Sequence, residues 1–123
     1  MSARAALTLA SLLMLVAVAA GAFGAHALKT RLDANALGVW HTAVLYHAWH
    51  ALGLFAVGLF TLHAPDRAGL GLAGWLFVAG IALFSGSLYV LALTGTRALG
   101  AITPIGGAAF LAGWLALAWA ASR

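Results

Sequence analysis

Four stretches of this chain carry no charge at all: residues 5–28, 34–65, 68–96 and 98–122. Each can supply the roughly 20 apolar residues that cross a ~30 Å hydrocarbon core. A backbone in lipid must satisfy its own polar groups, so only helices and closed barrels span. Barrels need alternating segments of about ten residues, and these runs do not alternate. The reading is all-α: an integral membrane protein with four transmembrane helices in a compact bundle. The spans are predicted at about 5–26, 34–63, 69–93 and 103–121, one domain over residues 1–123. Only 7% of the residues are charged, against about 25% in a soluble domain, so the chain cannot cover a water-facing surface.

A pI near 10.9 could suggest nucleic acid. The six Lys/Arg are instead spread one or two per loop, which suits anchoring at lipid headgroups. No nucleic-acid partner is expected. With no cysteine, disulfides, thiolate catalysis and Cys-ligated metal centres are excluded together. The start of the chain imitates a signal peptide, with Arg4, an apolar Leu7–Val18 and Ala20-Gly21-Ala22 as an A-x-A-like site. We read it as the first spanning helix.

Asp33 suits the N-cap of the second helix, where its carboxylate can accept free backbone N–H groups. Thr103-Pro104 reads as N-cap and first residue of the fourth. Small residues recur every fourth position at Ala17, Gly21 and Ala25, and again at Ala108, Ala112, Ala116 and Ala120. Such ridges let helices approach closely in lipid, which suggests pairing of the first and fourth. An offset of 63 aligns Leu7, Leu9, Ala10 and Leu13 with Leu70, Leu72, Ala73 and Leu76, compatible with two duplicated helix pairs. Three cations fall on each face (Arg4, Arg67, Arg123 against Lys29, Arg31, Arg97). That tie defeats the positive-inside count; the basic start tips the reading to both termini inside.

The polar residues of the spans are unevenly distributed. At 1.5 Å per residue, His47 lies about 10 Å and His50 about 15 Å below the face opposite the termini. GAFGAH, YHAWH, FSGSLY and TPIGG all fall in that one leaflet. Intramembrane polar residues are costly and usually face the bundle interior. His26, Tyr46, His47, His50, Ser85, Ser87, Tyr89 and Thr103 are therefore expected to converge as a polar cluster or ligand site. Trp40, Trp75 and Trp119 read as interfacial belt residues.

The same stretches carry a resemblance. Gly21-Ala22-Phe23-Gly24-Ala25-His26, the Tyr46…His50-Ala51-Leu52 pattern, Leu83–Tyr89 and Thr103-Pro104-Ile105-Gly106-Gly107 resemble the YgdD-type family of small bacterial inner-membrane proteins of unknown function. Its eukaryotic relatives are known only as transmembrane proteins. The resemblance spans nearly the whole chain in order. It implies four transmembrane helices and an inner-membrane location, and it brings no catalytic residues. The family pattern commonly has glutamine where this chain has His47.

Several chemistries compete for YHAWHAL. His47 and His50, at i and i+3, share a helix face and could begin a metal site. Zinc wants three or four ligands, however, and both Asp lie in loops; bis-histidine haem meets a depth mismatch. No metal or cofactor is expected. No acid stands beside a core histidine, so a hydrolase triad has no support and no enzyme is expected. A proton relay or coupled transporter could use histidine, which titrates near neutral pH, in a chain with no carboxylate in any span. The plainest reading has His50, Tyr46, Ser85, Ser87 and Thr103 hydrogen-bonding across helices, each contact worth about 0.6 kcal/mol. The reading adopted is a small membrane-embedded ligand- or lipid-binding or accessory protein. Its partners are membrane lipids and, as an accessory, itself or another membrane protein. A transporter or permeation protein for a small solute is the alternative.

Overall fold

The computed structural model describes the whole chain, Met1–Arg123. Four helices form: α1 (Ala3–Ala25), α2 (Ala34–His63), α3 (Leu70–Thr94) and α4 (Thr103–Ala121). There is no strand, and the four helical stretches are each long and apolar enough to cross a membrane. Their ends fall within two residues of those predicted. Two of the turns contain 3₁₀ segments, Leu28–Thr30 and Arg97–Ala101.

Local chemistry explains most ends. Asp33 caps α2 as expected, its Oδ1 accepting from Ala36 N at 2.7 Å. Ser2 does the same for α1 through Ala5 N. α3 is bracketed by Gly69 at φ 95° and Gly95 at φ 70°, a left-handed conformation that costs glycine little. Thr103 departs from expectation: it is the first helical residue of α4, and Ile102 stands at the cap. The 3₁₀ turn delivers the backbone to α4 already helical, with Ile102 N bonded to Leu99 O. No extended cap residue is needed, and the Thr103 hydroxyl is left for other partners.

α2 is the central helix. α1 lies along it, α3 packs on its other side, and α4 packs on α3. The expected pairing of α1 with α4 does not form. α1 buries Ala6, Ala10, Ala17 and Gly24, while Ala25 is exposed. α4 buries Gly106, Phe110, Gly113 and Ala120, leaving Ala108 and Ala112 exposed. Short turns make sequential helices neighbours, so α2 and α3 stand between the two ridges. The core is built on Leu54, Val57, Phe77, Ile81 and Phe110.

α3 is interrupted by a π turn at Ile81–Ser85. Such a turn accommodates one extra residue and rotates the remainder of α3 by about 100° relative to a regular helix. It lies directly against α4, where Gly106 meets the backbone of Leu83 and Phe84.

Candidate functional site

Most of the polar side chains expected to converge in the one leaflet fall into two groups. The first joins helices. Ser85 is fully buried and its Oγ donates to Ala43 O in α2 at 2.8 Å. Ser87 and Thr103 share a hydroxyl–hydroxyl bond of 2.7 Å between α3 and α4. His47, also buried, places Nδ1 3.0 Å from the Tyr89 hydroxyl on α3. The carbonyl of Leu13 in α1 faces the same imidazole, although Nε2 forms no hydrogen bond of ordinary geometry.

Trp40 belongs with these groups, not with the belt where the sequence placed it. It is buried, and its indole N–H donates to Ala20 O in α1 at 2.9 Å. The ring sits on Gly24, whose place a Cβ would take at 2.6 Å from Trp40 Cδ1. Trp75 and Trp119 are exposed on the outer surface. His26 joins neither group; it is exposed at the end of α1.

The second group borders a lateral groove of about 470 Å³ between α2, α3 and α4, lined by Tyr46, His50, Phe84, Phe110, Leu111 and Trp114, with Pro104, Gly107 and Ala108 along the α4 side. His50 is 5% exposed and lies flat on Phe110, with ring centroids 3.4 Å apart and planes 10° apart. Tyr46 packs against Phe84 at 4.5 Å and Trp114 against Phe77 at 4.9 Å.

His50 Nδ1 is 2.6 Å from Tyr46 O, in its own helix. A carbonyl can only accept, so Nδ1 carries the proton and the neutral ring leaves a lone pair on Nε2. That nitrogen has no partner in the protein, yet the sealed, unpartnered side-chain atoms are limited to His47 Nε2; His50 Nε2 therefore opens to the groove. Of the tyrosines only Tyr89 bonds its hydroxyl, and of the tryptophans only Trp40 bonds its N–H. Tyr46 and Trp114, which line the same groove, thus also leave their O–H and N–H without a protein partner.

The expected convergence is therefore partial, and it corrects the packing role given to Tyr46 and His50. His47 and His50 turn to different neighbours, one to α3 and α1, the other to α4. No three His, Cys, Asp or Glu side chains come together in a way that could hold a metal ion. Phe84, Phe110 and Trp114 were not foreseen as site residues. In a chain so rich in apolar side chains, nothing local separates a groove wall from a lipid-facing ring. His50→Leu removes a bond within α2, not between helices, and is expected to cost less than about 1 kcal/mol in reversible detergent unfolding. His47→Gln, which keeps a partner for Tyr89, is expected to be silent in the same assay.

A model of the family described as protein of unknown function (DUF423) matches residues 20–107. The chain is 50% identical over 109 residues to the UPF0382 membrane protein YwdK of Bacillus subtilis, covering 89% of each chain. It is 49% identical over 109 residues to the UPF0382 membrane protein SSP2132 of Staphylococcus saprophyticus, again covering 89% of each. A UPF0382 membrane protein of Haemophilus influenzae is 44% identical over 113 residues, covering 92% of this chain and 90% of that one. No solved structure matches. Four spanning helices and relatives matched over nearly their whole length place this multi-pass membrane protein in the DUF423, or UPF0382, family of small bacterial membrane proteins of unknown function.

Proposed function

We propose that this protein is a non-enzymatic, membrane-embedded binding protein that holds a lipidic ligand in the groove between α2, α3 and α4. The observation that carries the reading is the set of polar atoms without protein partners, led by His50 Nε2, beside a lipid-depth groove walled by aromatic rings. A polar atom left without a partner in an apolar medium costs free energy, and a bound ligand removes that cost. Ser85, Ser87, Thr103, His47 and Trp40 tie neighbouring helices together, which supports a rigid binding frame over a moving transporter. We place the protein in the bacterial inner membrane with both termini cytoplasmic, and we take the YgdD-type proteins and their eukaryotic relatives as members of the same family. As an accessory, its partners are membrane lipids and a second membrane protein or copy of itself.

Ala108 is exposed and lines the groove, whereas Ala112, one turn along α4, is exposed outside it. Ala108→Trp should fill the groove without disturbing the core, and Ala112→Trp is its control. Native mass spectrometry of protein released from nanodiscs should show a retained hydrophobic adduct in the wild type and in Ala112→Trp. In Ala108→Trp its occupancy should fall about tenfold, equivalent to about 1.4 kcal/mol. An adduct equally present in all three would overturn the reading.

A further inference from the structure

The hydrogen-bonding character of the groove narrows its ligand, given the binding role proposed above. With Nδ1–H held by Tyr46 O, neutral His50 offers the groove an acceptor and no donor. Acyl chains have no O–H or N–H to give, and ester and ketone oxygens only accept. His50 lies about 15 Å along α2 from Trp40, deeper than a phospholipid headgroup. Trp114 and Tyr46, whose N–H and O–H have no protein partner, line the same hollow. A hydroxyl matches this arrangement: its hydrogen goes to Nε2 and its oxygen can accept from a neighbouring donor. A ketone oxygen would face the Nε2 lone pair.

The walls indicate what carries the hydroxyl. Tyr46, Phe84, Phe110 and Trp114 present ring faces and edges, which pair favourably with another aromatic ring in offset or tilted geometry. A cavity of roughly 150 Å³ holds one benzene, so about 470 Å³ takes a single substituted ring with the first carbons of a tail. The groove is open at the protein surface, so the rest of a tail can remain in lipid.

We propose that the ligand is a lipid-soluble phenol or quinol, a single-ring head whose hydroxyl donates to His50 Nε2, and that the groove holds this hydroxyl form in preference to the corresponding quinone.

The test uses full-length protein in nanodiscs, titrated anaerobically with duroquinol, duroquinone and the dimethyl ether of duroquinol. All three share one ring and its methyl groups, and only the first has a donor. The readout is the ¹⁵N signal of His50, assigned from its absence in His50→Gln, together with Kd by calorimetry. Duroquinol should move the Nε2 resonance and bind about tenfold or more tightly than either other compound, a factor worth about 1.4 kcal/mol. Glutamine at position 50 offers both donor and acceptor, so His50→Gln, with unchanged unfolding, should bring duroquinol and duroquinone within about threefold, or about 0.65 kcal/mol. Equal affinities in the wild type, tighter quinone binding, or a preference that survives His50→Gln would overturn the proposal. If none of the compounds binds while the Ala108→Trp-sensitive adduct persists, the ligand class is wrong and the lipid-binding groove stands. If that adduct is missing as well, both fall.

Discussion

Gly106→Ala is expected to be the most damaging single-atom change in this protein. Gly106 is buried on α4 against the π turn of α3. A Cβ there would press on the backbone nitrogen of Phe84 and lie 2.8 Å from the carbonyl carbon of Leu83. Backbone cannot rotate away as a side chain can, so the two helices must separate. That loosens their contact and the Ser87–Thr103 bond one turn away. The expected loss is about 3 kcal/mol or more, at the upper end of overpacking costs, read as a shift in reversible detergent unfolding. Gly107→Ala is the control. Its Cβ would lie 3.7 Å from the nearest Phe84 ring atom, an ordinary contact, and its effect should stay within about 0.5 kcal/mol. Equal effects at the two positions would refute a backbone-on-backbone contact at this crossing.

Gly80→Ala should be nearly as costly, for a different reason and with a different remedy. Gly80 is buried on α3 under the ring of Phe110, and an added Cβ would press on that ring and lie 3.0 Å from its Cγ. The obstacle is a side chain near its root, so it must change rotamer, at a cost of about 1–3 kcal/mol. Phe110 is also the ring on which His50 lies flat, and its displacement should disturb ligand retention along with stability. Phe110→Leu in the Gly80→Ala background removes the obstructing ring and should recover stability. The double-mutant cycle should show a coupling of about 1 kcal/mol or more. No side-chain substitution of this kind can rescue Gly106→Ala.

Some polar groups of the bundle join helices and others line the groove, while Ser11, Thr42 and Thr61 bond carbonyls of their own helices. Ser85, Ser87, Thr103, His47 and Trp40 each meet a group on a neighbouring helix. Mutations among them should lower stability by a fraction of a kcal/mol per bond lost, about 0.6 in membrane helices. Tyr46 and His50 line the groove, so substitutions there should act first on binding.

How much of this could be read from residue order depends on the kind of constraint each feature obeys. A charged side chain in hydrocarbon is costly wherever its helix sits, so the uncharged runs locate the four spans before any contact is known. The α2 cap is equally local: Asp33 reaches an N–H three residues on. The concentration of polar residues in one leaflet also comes from helical rise alone. Neighbour choice does not. Lipid is as apolar as the helices, so no hydrophobic face identifies a partner, and in this alanine-rich chain the Ala108–Ala120 ridge looked as suitable as the one that packs. Chain connectivity through short turns put α2 and α3 between α1 and α4. The π turn at Ile81–Ser85 then offset the face of α3 by an extra residue, which no periodicity from either end reveals. Trp40 came to rest on Gly24, 16 positions earlier, because two helices cross there. His50 met Phe110 from a different helix in the same way. Which polar atoms found partners, and which stayed open to the groove, was decided by those crossings, since a hydrogen bond needs its two atoms within about 3 Å and only the packed bundle sets that distance.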